Sequence, residues 1–295
     1  MNASQHAATG SEVFEHRAAA MTTAGKMTPA EIDLAYSAAQ KVVQVHRRVS
    51  SFMRLGMTLA QIDQEVARVL ADIECKSCFL HYRQGRSPAF PSHACLSLND
   101  CVVHGTAASV TRPLREGDLL KLDIGVNYRG MIGDAAWTYS FGQPTSLVKR
   151  LMDCGKKSLA EGVKELHPQN IYLAWARRVQ GIVETEFGFK LVRGLGGHGY
   201  GLKTLHKAPY VSNVVPAYIG EWPEATERCE PGTLVAVEPM IAVSTGDTKH
   251  ARKNDWPVLT ADGSMSVHYE HDVLIGDHGP RVLTDGMQEL PDVVG

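Results

Sequence analysis

The chain has 295 residues, is 44% hydrophobic, and carries 30 basic against 32 acidic side chains for a formal net charge of -2. That length can bury a sizeable core, and the balanced charge excludes a surface that binds nucleic acid or an anionic membrane by bulk electrostatics. No window approaches the ~18 consecutive apolar residues of a membrane span, and the first 26 residues lack the compact apolar core of a secretory signal, so a cytoplasmic protein with no membrane or nucleic-acid partner is expected. Six cysteines in such a setting are expected as thiols. Cys75 and Cys78 form a C-x-x-C, but no second C-x-x-C and no paired histidines at finger spacing follow to complete a zinc site.

In chain order, residues 1 to 27 are polar and aperiodic and are expected as a poorly ordered extension, with 28 to 295 as one catalytic domain. Thr28-Pro29-Ala30-Glu31 is a capping box with proline in the first turn, and Ile32, Tyr36, Ala39, Val43, His46 and Val49 follow at helical spacing. Thr58 to Gln61 repeats the signal, and Leu59, Ile62, Val66, Val69 and Ile73 mark one face of a second helix. Further helices are predicted over about 145 to 165 and 170 to 186, the latter with Ile171, Trp175, Val179, Ile182 and Val183 on one stripe.

The period then becomes two. Leu120, Leu122, Ile124 and Val126 alternate with polar or small residues, and Tyr128-Arg129-Gly130 turns the chain into a second strand through Ile132, Asp134, Ala136 and Thr138. More strands are predicted near 189 to 193, 233 to 241 and 267 to 275. Helices mixed with hairpin-linked strands give an α+β class, a curved antiparallel sheet covered by helices.

A two-residue turn at Tyr128-Arg129 would set Asp123 directly opposite Asp134. Two carboxylates on one face of adjacent strands repel unless a proton or cation lies between them. Alone, they are better read as surface aspartates on the solvated side of a hairpin. Glu238 and Glu270, however, also interrupt apolar strand sequence, and His198 stands within the glycine-rich run Gly196 to Gly201. Four carboxylates balance two divalent cations, and one imidazole completes an oxygen-rich set suited to Mn, Fe, Co or Zn in hydrolysis.

These segments resemble the type I methionine aminopeptidases of the pita-bread fold. The resemblance is carried by Cys95 to Gly105, Leu122-Asp-Ile-Gly-Val126, Gly133-Asp134, Gly196 to Gly201, Val237-Glu-Pro-Met240 and Tyr269-Glu-His271, in the family's order, and covers about residues 28 to 285. It implies Asp123, Asp134, His198, Glu238 and Glu270 as ligands of two divalent metal ions, with Glu238 also moving a proton. It implies His206 at the scissile carbonyl and His104 near the leaving amide. Phe90, Cys95, Leu205 and Trp256, with Cys78 beside them, are implied as the pocket for a methionine side chain. The substrates implied are the N-termini of peptides and nascent chains, met transiently at the ribosome, and nothing in the pattern demands more than a monomer.

Three features depart from the family pattern. His206 follows His198 by eight steps where seven are usual, position 205 is Leu where an aromatic is usual, and residues 217 to 229 and 244 to 255 are longer segments, expected as loops at the rim of the site. Two other functions fit parts of the same pattern: a proline-specific peptidase of this fold, and a binding protein without catalysis. Gly194 to Gly199 also reads G-x-G-x-x-G, but Pro209 interrupts any helix that a nucleotide site would need there.

Overall fold

The computed structural model describes residues 27 to 85, 87 to 252 and 255 to 295; the predicted extension at 1 to 27 lies, but for Met27, outside them. Both capping boxes form. Thr28 Oγ1 accepts from the Glu31 N–H at 3.3 Å while Glu31 Oε2 accepts from the Thr28 N–H at 2.8 Å, and α1 (Pro29–Phe52) starts there. Thr58 and Gln61 do the same for α2 (Leu59–Asp72).

Three short strands follow, β1 (Lys76–Ser77), β2 (Cys95–Leu98) and β3 (Cys101–Val103), then a long hairpin of β4 (Leu119–Tyr128) and β5 (Met131–Phe141). Helices α3 (Ser146–Val163) and α4 (Tyr172–Gln180) come next, and α4 runs into a wider π-helical turn over Gly181–Glu186. The remaining strands are β6 (Lys190–Leu191), β7 (Gly196–Gly201), β8 (Thr204–Ser212), β9 (Leu234–Val237), β10 (Met240–Ala242), β11 (Thr248–His250), β12 (Val258–Thr260), β13 (Ser266–His268), β14 (His271–Gly276), β15 (Gly279–Val282) and β16 (Val293–Val294).

Among the described residues these strands pair as four sheets: β1 and β2 on β4, with β5 and β16 beyond it; β6 with β10 and β13; β3 with β12 and β11; and β8, β7, β9, β14 and β15 in that order. All pairings are antiparallel except β5 with β16. α1 packs across β4 and β5, and α3 packs on α4, β10 and β13.

Two predicted strands are each split in two. The run 233 to 241 breaks at Glu238-Pro239 and the run 267 to 275 at Tyr269-Glu270, and at each break the chain leaves one sheet and enters another. Pro239 has no N–H to give a ladder. The two glutamates therefore stand at the seam between sheets instead of within a strand face.

The β4–β5 hairpin corrects the predicted register. The turn is Arg129-Gly130, with φ of 53° and 91°, and Tyr128 pairs with Met131. Two successive positive φ values suit a turn with glycine second, and moving it one residue earlier would force Tyr128 into that conformation. Asp123 consequently faces Ala136, and Asp134 faces Gly125. The two carboxylates are diagonal neighbours, still on one face because side chains alternate with period two.

Candidate metal centre

Each acidic residue reaches the same buried space from a different element. Asp123 comes from the middle of β4 and Asp134 from β5, at 9% and 3% exposure, and Glu238 and Glu270 come from the two sheet-to-sheet crossings. His198 projects from β7. The glycines around it allow close approach of the neighbouring strands: a Cβ on Gly197 would lie 2.2 Å from the Ala236 carbonyl oxygen, and one on Gly199 2.3 Å from that of Ala208.

The donor atoms converge. One oxygen or nitrogen each from Asp134, His198 and Glu270 lie within 4.8 Å of one another, as do those from Glu238, His268 and Glu270. His198 Nε2 is 4.0 Å from Asp134 Oδ2 and 3.9 Å from Glu238 Oε1. Burial pushes the carboxyls of Asp134, Glu238 and Glu270 well above the usual range, and for Asp134 and Glu270 the neighbouring carboxylates push in the same direction. Burial likewise raises Asp123 to about 6, with Glu238 adding to the rise and His268 opposing it. Burial lowers His198 and His268 to about 4, so both rings are neutral near pH 7 and offer lone pairs.

Asp123 Oδ1, Asp134 Oδ1 and His268 Nε2 are buried with no hydrogen-bond partner in proper alignment. Orphaned acceptors in an acidic, buried cluster are costly unless a cation fills it, so these residues fit divalent metal.

Every other residue predicted for the site, apart from Cys78, lines the same open-mouthed cavity, about 530 Å³ with the solvent at its mouth included: Phe90, Cys95, His104, Leu205, His206 and Trp256. Phe90 meets Trp256 edge-on at 5.3 Å between ring centres, and Trp256 Nε1–H donates to the Pro88 carbonyl at 2.9 Å. His104, at a positive φ of 59°, sets its ring 5.9 Å from Trp256, and burial lowers its pKa to about 4. Cys78 is not among the lining side chains; it packs beside Phe79 against the backbone of Gly125, to which its N–H donates.

The unusual His198 to His206 spacing is absorbed by bulges. His198 pairs with Tyr210, Gly199 with Lys207 and Gly201 with Thr204, so β8 carries extra residues against β7 and His206 still comes 4.2 Å, ring centre to ring centre, from His198. The segment 244 to 255 is not all loop, since it carries β11 (Thr248–His250), and a charge on His250 disfavours one on His104. Residues 217 to 229 contribute no lining side chain; there Trp222 Nε1–H donates to the Tyr210 carbonyl. The G-x-G-x-x-G segment is the start of the β7–β8 hairpin, with no helix after it.

Sequence reasoning missed Phe79, Tyr82, His268 and Asp272. Tyr82 is 2.7 Å from His206 Nδ1 through its hydroxyl. Asp272 is fully buried and its Oδ2 accepts the Asp134 N–H at 2.8 Å. A period-two extension from Glu270 in both directions would have found His268 and Asp272; no sequence signal marks Tyr82. All six cysteines are free thiols, and among the described residues no helix is long and apolar enough to cross a membrane.

Comparison with known proteins agrees with this geometry. The model of metallopeptidase family M24 matches residues 33–277. A methionine aminopeptidase of Clostridium acetobutylicum is 33% identical over 254 residues, covering 86% of this chain and 96% of that one. Methionine aminopeptidase 1 of Bacillus subtilis is 30% identical over 263 residues, covering 87% and 97%. The crystal structure of a methionine aminopeptidase from Thermotoga maritima superposes with a TM-score of 0.78 at 28% identity, covering 88% of this chain and 98% of that one. A prolidase from Pyrococcus furiosus shares the fold at a TM-score of 0.65 and 16% identity, but the chain spans 65% of its length. The chain belongs to metallopeptidase family M24, among its methionine aminopeptidases.

Proposed function

We propose that the chain removes the N-terminal methionine from peptides and nascent proteins as a two-metal aminopeptidase. The observation that carries this reading is the convergence of Asp123, Asp134, His198, Glu238 and Glu270 on one buried cavity whose other wall is the apolar slot of Phe90, Cys95, Leu205 and Trp256. Residues 28 to 295 act in this reading as one catalytic unit, a cytoplasmic monomer that meets nascent chains transiently at the ribosome.

Asp123, Asp134, His198, Glu238 and Glu270 would hold two divalent ions, Co, Mn, Fe or Zn. Bound there, the ions supply the positive charge that polarises a peptide carbonyl and lowers the pKa of water. The slot of Phe90, Cys95, Leu205 and Trp256 takes the thioether side chain, which favours a narrow, polarisable, apolar surface.

Glu238, which bound cations would hold as the carboxylate against the effect of its burial, takes the proton of the attacking water and returns it to the departing amine. With the Tyr82 hydroxyl donating to His206 Nδ1, the ring keeps its proton on Nε2 and donates it to the carbonyl oxygen as negative charge develops. His104, neutral at pH 7, supports the leaving amide by hydrogen bonding without adding charge.

Release of the first residue from Met-Ala-Ser, Leu-Ala-Ser and Ala-Pro-Ser, with Co(II) or Mn(II) present, tests this reading. Free methionine from the first peptide alone is expected. Cleavage of Ala-Pro-Ser in preference to Met-Ala-Ser would make the chain a proline-specific peptidase instead.

A further inference from the structure

His268 lies outside the five-residue set, yet it is built into the same cavity. It ends β13, where a single side chain pins it. Thr138 Oγ1 donates to the His268 carbonyl at 2.7 Å and accepts the His268 N–H at 3.1 Å. The residue is 2% exposed. Its Nε2 is turned toward the carboxylates and stands 3.0 Å from Glu238 Oε2, but the alignment is not that of a hydrogen bond, and the atom is buried without a partner.

Glu238 is thus bracketed by two imidazoles, His198 on the side of Oε1 and His268 on the side of Oε2. The donor atoms fall into two groups of three: Asp134, His198 and Glu270 in one, and Glu238, His268 and Glu270 in the other. Each group has one imidazole, and Glu270 belongs to both. An apolar or hydrogen-bonded role would leave a buried nitrogen and a buried carboxylate misaligned at contact distance; a cation between them would satisfy both.

We propose that His268 Nε2 is a sixth metal-donor atom, so that each of the two ions takes one imidazole, His198 at one and His268 at the other. The proposal rests on the metallopeptidase reading above and extends it to a residue outside the five-ligand set. A second nitrogen donor shifts the preference of the site away from Mn toward Co, Fe and Zn, which bind imidazole more strongly.

The test uses metal-stripped full-length protein titrated with Co(II), following heat of binding and the visible absorption of the bound ion, for wild type, His268→Ala and His268→Gln. Wild type is expected to take two ions. Both variants are expected to bind one of the two at least ~10-fold more weakly and to change its absorption, because neither replaces the imidazole nitrogen. Far-UV circular dichroism reports folding, and the near-isosteric Gln variant decides the matter if the Ala variant fails to fold. Two ions bound by His268→Gln with wild-type affinity and spectrum would overturn the proposal and leave the ring a hydrogen-bond donor to Glu238. Wild type that takes up no Co(II) would overturn the metallopeptidase reading and this proposal together.

Discussion

Acid should loosen the scaffold of the site through His46, a residue that takes no part in the chemistry. His46 is fully buried on α1, with Nε2 3.1 Å from the Ala135 carbonyl and Nδ1 2.9 Å from the Tyr139 hydroxyl. A carbonyl only accepts, so Nε2 carries the proton and Nδ1 accepts from the phenol. The ring is satisfied as a neutral imidazole, and it ties α1 to β5 one residue from Asp134. Burial lowers its pKa from 6.5 to about 4, against which the bond to Ala135 pulls upward.

The folded-state pKa lies below the unfolded one, so the neutral ring's contribution is fully present above pH 6.5 and is lost as pH falls from there toward 4. At pH 5 the unfolded state gains about 2 kcal/mol from protonating this one ring. Urea unfolding of wild type and His46→Gln at pH 7 and pH 5 isolates it, because Gln does not titrate and the other buried histidines are common to both proteins. The drop in stability between the two pH values should be smaller in the variant by about 2 kcal/mol. Equal drops in the two proteins would refute the argument that His46 is held neutral.

Three further outcomes follow from particular contacts. A Cβ on Gly133 would lie 2.8 Å from the Ala38 backbone, so Gly133→Ala should force α1 off β5 and lower stability by about 1–3 kcal/mol in denaturant unfolding. Tyr82→Phe removes the 2.7 Å contact to His206; steady-state kinetics on Met-Ala-Ser should show kcat reduced about five-fold, the worth of one hydrogen bond of about 1 kcal/mol, with KM little changed. Trp256→Ala opens the apolar slot and should raise KM for methionine peptides at least ~10-fold with a smaller effect on kcat.

The sequence made some parts of this molecule readable because their signals are local. Thr28 to Glu31 and Thr58 to Gln61 announce α1 and α2, and the alternation through β4 and β5 places Asp123 and Asp134 on one face whichever turn is chosen. The turn itself was misplaced by one residue because Tyr128, Arg129 and Gly130 offer two registers and only the backbone's two positive φ values decide between them. β7 and β8 were illegible as strands because glycines and bulges erase a period-two pattern. The runs around Glu238 and Glu270 read as continuous strands, since nothing in an apolar run says that the chain changes sheets there. Motif resemblance located Leu205, His206 and Trp256 around one cavity, whereas Tyr82 and His268 belong to no quoted motif and became visible only through their contacts with His206 and Glu238.

The central claim is that the acidic cluster works as a metal centre for methionine removal. Protein stripped of metal with a chelator, then assayed for free methionine from Met-Ala-Ser before and after adding Co(II) or Mn(II), tests it directly, with Glu238→Gln alongside. No release is expected without metal, release on adding either ion, and a loss of more than ~100-fold in the variant. Undiminished release by the stripped protein, or by folded Glu238→Gln, would contradict it.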